Sequence, residues 1–300
     1  MNIIRWPHGS LAAVPGEHIA VRLADEVRRL AFDEESPCDL DRLCTLGGFQ
    51  YQRAVLDTRR GGHEALLVPR VEGGFEILVD PVPTVGRSVY DEVARERLLR
   101  RRMRFRIAHE IGHSFFYDRR CRPARRLLGH SDAEEAFCDA FANALLVPPS
   151  VVARCSPTPK AILDLANKLD VSVEVAGRAF AKSNPGLSVL GLRPVPRGNR
   201  VVGAIVVLWS AGSTRFSANA ELRSPWIEFA ERECDTEQVL DLGTKRGVFR
   251  ARIARLGRSY YVAALLSGVQ AHAGPDGAAS AEGHGMPSRC APSRSTGSDA

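Results

Sequence analysis

The stretch RFRIAHEIGHSFFYD, at residues 104–118, decides how this 300-residue chain is interpreted. It contains a His-Glu-x-x-His pattern in which His109 and His113 are four residues apart. On an α-helix this spacing places the two imidazoles about 40° apart around the axis and one turn along it, so both can reach one metal ion. Glu110 is rotated about 100° from His109, where a carboxylate can take a proton from metal-bound water without being a ligand. The pattern therefore predicts a catalytic zinc site.

The other face of this predicted helix is apolar. It carries Ile107, Ala108, Ile111 and Phe115. Such a helix packs its apolar face on a core and leaves the histidines on its polar face. The alternative is an amphipathic helix with two incidental histidines, but that alternative gives no reason for a glutamate beside the first of them.

A catalytic zinc ion takes three protein ligands and leaves one position open. One known type of site has its third histidine six residues after the second, but position 119 is Arg. The other common solution is a glutamate on a later helix. Ser131 and Glu134 form a capping-box pattern, which assigns the Glu134 side chain to the start of that helix. Glu135 is therefore the predicted third ligand, and its alternative role is that of a solvated acid in the first helical turn.

The face of the later helix that carries Glu135 also carries Cys138 and Asp139. Asp139 is predicted to accept the second N–H of a ligand histidine and so to fix its tautomer. Cys138 is predicted to be a small packing residue rather than a ligand. Asp118 and His130 remain as alternative ligands.

Apolar periodicity and the positions of proline and glycine predict an α+β fold. Five segments are expected: a helical N-terminal extension at 1–35, a mainly helical domain with a small β-hairpin and a trailing helix pair at 36–185, a linker at 186–199, a smaller α+β domain of unknown role at 200–270, and a disordered tail at 271–300. The hairpin pairs residues 65–68 with Phe75–Val79. In the smaller domain, strands at 201–209, 248–253 and 260–265 accompany a helix at 226–233.

Composition restricts the protein class. The seven cysteines are scattered without a Cys-x-x-Cys pair, so neither a disulfide framework nor a zinc finger is indicated. No stretch has the roughly 20 apolar residues that span a bilayer, and the first residues do not have the plan of a secretory signal. We therefore expect a cytoplasmic protein without membrane contact. The net charge of +6 is spread along the chain and does not indicate nucleic-acid binding, and nothing in the sequence specifies an oligomeric state.

The sequence resembles the ImmA/IrrE family of metallopeptidases. The resemblance rests on the motif stretch and on EAFCDAFANALLVPPS at 135–150, where members usually have a glutamate, an alanine-asparagine pair, Phe-Ala and a Leu-Leu-x-Pro ending. PCDLDRLCTLGGF at 37–49 is similar to the leading helix of the family, and AILDLANKLDVSVEVAGRAF at 161–180 to its trailing helix pair. The chain departs from the pattern at Tyr117, where many members have histidine, and at Cys138 and Asp139, which replace the alanine-asparagine pair.

The resemblance implies a zincin-like domain and an endopeptidase that cleaves a protein substrate. That substrate is often a helix-turn-helix transcriptional repressor, whose cleavage switches genes for stress response or mobile elements. By position, His109, His113 and Glu135 would hold Zn²⁺ and Glu110 would be the catalytic base. Zinc would acidify its water, and Glu110 would pass the proton to the leaving nitrogen.

Two further requirements of peptide hydrolysis have candidates in the sequence. An oxyanion donor is needed, and Tyr117 and His130 are the candidates. An extended substrate can add to an exposed sheet edge. The strand Phe75–Val79 provides such an edge if it lies at the border of its sheet, and an interior position for this strand is equally compatible with the sequence.

The alternative function is a DNA- or protein-binding regulator that retains the metal without turnover. Residues 162–181 have helix-turn-helix spacing. The second helix of this pair offers only Arg178 and Lys182 as basic groups, which are few for phosphate contacts. A packing helix hairpin is therefore favoured. The arginines at 100–106 form the strongest basic patch and are predicted to lie on a solvated helix face.

Overall fold

The structure is a computed structural model that describes residues 11–31, 36–56, 64–80, 92–197, 200–212, 221–222, 237–241, 248–256 and 260–267. The helices within these ranges are α1 (Glu17–Ala31), α2 (Leu40–Gly47), α3 (Glu92–His113), α4 (Asp132–Leu146), α5 (Pro149–Val152), α6 (Pro159–Lys168) and α7 (Val173–Ser183). The strands are β1 (Phe49–Arg53), β2 (Ala65–Pro69), β3 (Phe75–Val79), β4 (Tyr117–Asp118), β5 (Arg125–Arg126), β6 (Leu187–Arg197), β7 (Arg200–Gly212), β8 (Glu221–Leu222), β9 (Glu237–Asp241), β10 (Val248–Leu256) and β11 (Tyr260–Ser267). The fold class is α+β, as predicted.

A three-stranded sheet in the order β1-β3-β2 lies beside α3. The predicted hairpin is present, because β2 and β3 pair antiparallel with Leu67 opposite Ile77. β3 is the central strand, however, since β1 pairs with it in parallel on its other side. The hypothesis that Phe75–Val79 offers a substrate-binding edge is therefore wrong. In the described part of the sheet the edge strands are β1 and β2, and β2 packs against α3. β1 was missed because only Phe49 of its five residues is buried.

Helices α3 and α4 cross at close range. A Cβ atom on Gly112 would lie 3.2 Å from Cα of Cys138, so any larger residue would require the neighbouring helix to shift by a few tenths of an ångström. The crossing is packed by phenylalanine rings, with centroids 5.2 Å apart for Phe115 and Phe141 and also for Phe116 and Phe137. The apolar face predicted for the metal-site helix is thus buried against α4.

Helix α1 covers the other side of α4 and buries a charged residue there. Arg28 is only 1% exposed. Its Nη1 donates to the carbonyl of Leu145 at 2.7 Å, and its Nη2 donates to the carbonyl of Ser36. The guanidinium therefore connects the end of α4 to the segment that follows α1 by hydrogen bonds.

We expect Arg28→Ala to lower the free energy of unfolding by about 2–4 kcal/mol, because buried carbonyl groups lose a charged donor and a cavity forms. Urea unfolding measures the change. Arg29→Ala is the matched control, since its side chain is 63% exposed and pairs with Asp25 at the surface. That control is expected to cost less than about 1 kcal/mol. Equal effects of the two substitutions would contradict the structural role given to Arg28.

The second sheet is antiparallel in all its described pairs and has the order β8-β7-β6-β11-β10-β9. The linker predicted at 186–199 is wrong, because Leu187–Arg197 is the strand β6, paired on both sides. Its prolines suggested a linker, whereas residues 187–192 are buried. The strands predicted after residue 200 are present as β7, β10 and β11. The predicted helix at 226–233 and tail at 271–300 lie outside the described residues.

Helix α7 packs on β6 and β7, so the second sheet shares its core with the helices. A Cβ atom on Gly177 would lie 2.7 Å from Cη2 of Trp209, and glycine at this position allows the indole of β7 to reach the helix. The cap predicted for α4 is present, and α6 and α7 begin with side-chain caps of the same kind. The caps are Ser131, Thr158 and Ser172, each of which accepts a backbone N–H of the first turn.

Candidate metal centre

The histidines and the predicted third ligand come from adjacent helices. α3 ends at His113 and is followed by the 3-10 turn Ser114–Phe116, so both histidines occupy the last two turns of the helix. α4 starts after the N-cap Ser131, which places Glu135 in its first turn. Because the two helices cross closely at Gly112, the end of one faces the start of the other.

Three potential ligand side chains converge at this crossing. Nε2 of His109 lies 3.1 Å from Nε2 of His113 and 3.2 Å from Oε2 of Glu135. Nε2 of His113 lies 3.5 Å from Oε1 of Glu135. The three side chains that the sequence singled out therefore present their donor atoms to one point.

The separations fit a small tetrahedral metal ion. Ligand atoms about 2.0–2.2 Å from zinc, at tetrahedral angles, lie about 3.3–3.6 Å from one another. The two histidine nitrogens are 3.1 Å apart, and the distances of 3.2 and 3.5 Å from them to the two oxygens of Glu135 are also close to this range. Two imidazole nitrogens and one carboxylate are also ligand types that zinc accepts in catalytic sites. The residues present thus suit zinc in both spacing and chemistry.

Each histidine is held by a carboxylate on its other nitrogen. Oδ1 of Asp139 lies 2.9 Å from Nδ1 of His109, which is the contact predicted for Asp139. Oε1 of Glu134 lies 2.6 Å from Nδ1 of His113. A carboxylate at Nδ1 selects the tautomer with the proton on that nitrogen, so both Nε2 atoms keep a lone pair for a metal.

The position of Glu134 corrects the capping-box assignment. One half of the box is present, because the Ser131 hydroxyl accepts the backbone N–H of Glu134. The Glu134 carboxylate, however, is fully buried and contacts His113 instead of the helix start. Nη2 of Arg126 donates to both of its oxygens at 2.7 Å. Glu134 and Arg126 are thus site residues that sequence reasoning missed.

The charges of the site follow from burial. Burial raises the pKa of Glu110 to about 7, and the nearby negative charge of Glu135 acts in the same direction while His109 opposes it. Burial lowers the pKa of His113, which keeps its imidazole neutral and able to bind a metal. Burial also acts against the charged form of His109, but the hydrogen bond and charge of Asp139 outweigh it and raise the pKa of His109.

Glu110 sits beside the donor atoms rather than among them. Its side chain is only 7% exposed, and its carboxylate accepts the backbone N–H of Leu67 in β2. The edge strand and the metal-site helix are therefore joined at the residue predicted to be the base. A buried carboxyl with a pKa near neutrality can accept a proton and return it.

The remaining predicted residues have different surroundings. The Tyr117 hydroxyl accepts from Arg126 at 3.3 Å, so it belongs to the Arg126–Glu134 contact network. Asp118 accepts from Arg120 and does not join the donor cluster. His130 lies at the cluster, with its Nδ1 3.6 Å from Oε1 of Glu135.

The Cys138 side chain occupies the crossing between the helices. Its Sγ lies within 4.8 Å of a donor nitrogen of His109 and of a donor nitrogen of His113. A Cβ atom on Gly112 would lie 3.3 Å from this Sγ, so the sulfur fills the space between α3 and α4. Burial raises the pKa of the Cys138 thiol, which keeps it protonated. The packing role predicted for Cys138 accords with this position.

The arrangement is that of a metallopeptidase-type centre. It has two histidines on one helix, an acid between them and a glutamate on the next helix. Residues 94–180 match the family model described as Peptidase_M78, the IrrE N-terminal-like domain. Over these residues the chain is similar to that family, and the resemblance to ImmA/IrrE proteins is confirmed there.

No curated protein matches the chain. Among solved structures, a Mycobacterium tuberculosis transcriptional regulator is similar at 14% identity and a TM-score of 0.43, with 83% of this chain and 76% of that chain covered. Within the described ranges, no helix is long and apolar enough to cross a membrane.

Proposed function

We propose that the protein is a zinc-dependent endopeptidase that hydrolyses a protein substrate. The observation that carries the proposal is the convergence of Nε2 of His109, Nε2 of His113 and the Glu135 carboxylate, with separations of 3.1–3.5 Å. These residues would hold the metal, and a three-ligand set leaves a position for water or substrate. The match of residues 94–180 to a peptidase family model supports the same reaction class.

Bound zinc would supply Lewis acidity that polarises the scissile carbonyl and makes water a stronger acid. Glu110 would take the proton from that water and deliver it to the leaving nitrogen. The Leu67 N–H holds the Glu110 carboxylate in place during both transfers. Asp139 and Glu134 keep the histidines in one orientation, so the protein supplies a site that need not rearrange during the reaction.

The β2 edge is suited to hold an extended substrate beside Glu110. The Asp80 N–H donates to the carbonyl of Glu64 at one end of the hairpin, and the Arg70 N–H donates to the carbonyl of Gly74 at the other. Because hydrogen-bonded positions alternate along an antiparallel pair, the backbone groups of Ala65 and Leu67 point away from β3. Because the Leu67 N–H is already bonded to Glu110, a substrate strand can pair with the Leu67 carbonyl and with the N–H and carbonyl of Ala65.

The substrate class follows from the family resemblance. We infer a protein substrate, in particular a helix-turn-helix transcriptional repressor, and a role in stress-response or mobile-element regulation. The protein would act in the cytoplasm, where such a repressor is found.

The contacts of the basic residues count against the DNA-binding alternative. On α7, Arg178 is paired with Glu174, and Lys182 with Glu17. In α3, Arg101 contacts both Asp170 and Asn167 in the turn between α6 and α7. Of the arginines at 100–106, three pair with Asp170 and so join α3 to this turn, namely Arg100, Arg101 and Arg104. A phosphate backbone would have to break these pairs.

Metal removal tests the proposed activity. Treatment with a zinc chelator is expected to abolish proteolysis of a candidate helix-turn-helix repressor and of a mixed peptide library, and added Zn²⁺ is expected to restore both. Mg²⁺ is the control ion, because it prefers octahedral oxygen ligands and does not suit a histidine pair. Proteolysis that persists in the metal-free protein would contradict the proposal.

A further inference from the structure

The imidazole of His130 lies at the metal centre and has no role in the proposed hydrolysis. It immediately precedes Ser131, the N-cap of α4, so its backbone is anchored at the start of the helix that carries Glu135. The side chain is 61% exposed, in contrast to the buried His113 and Glu110. His130 therefore lies on the solvent side of the donor cluster.

His130 lies near two of the three donor residues, Glu135 and His113. Its Nδ1 lies 3.6 Å from Oε1 of Glu135, which is a ligand-to-ligand separation of a tetrahedral zinc site. Its ring meets the ring of His113 edge-on at 73°, with centroids 5.7 Å apart, much as the rings of His109 and His113 meet at 70° and 4.9 Å. Donor atoms of His113, His130 and Glu135 all lie within 4.8 Å of one another.

We propose that His130 is a fourth protein ligand, which closes the metal site in the resting protein and must leave before a substrate can be hydrolysed. The inference rests on the proposed function and adds its regulation. Sites with four protein ligands are structural, whereas catalytic sites keep one position open. A ligand on the exposed side can withdraw without disturbing the core, whereas His109 and His113 are fixed on α3.

This arrangement explains how a peptidase that acts on a cellular protein can be kept latent. A substrate or partner that engages the segment around His130 would remove the ligand and open the coordination position next to Glu110. The competing role for His130 is hydrogen bonding to the developing oxyanion, which requires an imidazole near the site but not bound to the metal.

Cobalt substitution of the whole protein tests the proposal. Co²⁺ takes the place of zinc and reports its ligands in the visible absorption spectrum. We expect His130→Ala to change that spectrum, to raise the Kd for zinc by at least about tenfold, to bind acetohydroxamate more tightly, and to increase basal cleavage of a peptide library. His18→Ala is the control, because His18 is an exposed residue of α1. A thermal melt checks that both variants are folded.

Each other outcome has a distinct meaning. An unchanged cobalt spectrum and unchanged zinc affinity in His130→Ala would overturn this inference and leave the proposed function standing. Slower cleavage with unchanged metal affinity would also overturn it and would assign His130 to the oxyanion instead. A wild-type protein that takes up no cobalt or zinc would overturn the proposed function together with the inference.

Discussion

Glu110→Gln is expected to lower kcat/KM by at least about 10²–10⁴-fold, the usual contribution of a positioned general base. The amide oxygen of glutamine can still accept the Leu67 N–H that holds the native carboxylate, so the geometry should be kept. The amide cannot take a proton from water. Initial rates on a candidate helix-turn-helix repressor and on a peptide library measure the loss.

Zinc content separates a catalytic from a metal-binding role for this residue. Because Glu110 lies beside the donor atoms and is not one of them, the Glu110→Gln variant should retain zinc as the wild type does. Glu96→Gln is the matched control, since Glu96 is an exposed acid on the same helix. Wild-type cleavage rates in Glu110→Gln would show that Glu110 is not the base.

Glu134→Gln is expected to weaken zinc binding by about 10–100-fold, although Glu134 is not a ligand. Its carboxylate holds Nδ1 of His113 at 2.6 Å and is held in turn by Arg126. Glutamine can present either an oxygen or an NH₂ group to His113, so the tautomer is no longer determined. Loss of the buried charge pair should also lower the free energy of unfolding by about 3 kcal/mol.

Competition with a zinc chelator and urea unfolding measure the two effects of Glu134→Gln. Asp132→Asn is the control, because Asp132 is an exposed acid in the same helical turn. Glu135→Gln is the reference for the loss of a direct ligand, and it should weaken zinc binding more than Glu134→Gln does. If Glu134→Gln binds zinc as tightly as Asp132→Asn does, then Glu134 serves only the helix start, as the capping pattern alone would suggest.

The features of the site that could be predicted from sequence are those that depend on one helix. The spacing of His109 and His113 and the apolar face behind them follow from helical geometry. Ser131 predicts where α4 starts, and that start predicts that Glu135 and Asp139 lie on the same face of the helix. Such features depend on residues that are near one another in the chain.

Features that depend on distant contacts were missed. The capping pattern assigned the Glu134 carboxylate to its own helix, because its partners Arg126 and His113 meet it only in the folded chain. An arginine in the loop before a helix with two adjacent glutamates was the one signal that could have indicated a buried pair. β1 was missed for a similar reason, because its position beside β3 compensates for a polar sequence. A local sequence pattern does not show whether a glutamate caps its own helix or pairs with a distant arginine. It also does not show whether a segment with prolines is a linker or a strand paired on both sides.

The most direct test of the central claim is the zinc content of the purified protein and of its His113→Ala variant. The wild type is expected to contain zinc in an amount equal to the protein. The variant is expected to contain almost none, because it lacks one ligand of the cluster formed with His109 and Glu135. His18→Ala should retain the metal as the wild type does. A wild-type protein that does not bind zinc, or a His113→Ala variant that binds it equally well, would contradict the assignment of this crossing of α3 and α4 as a metallopeptidase centre.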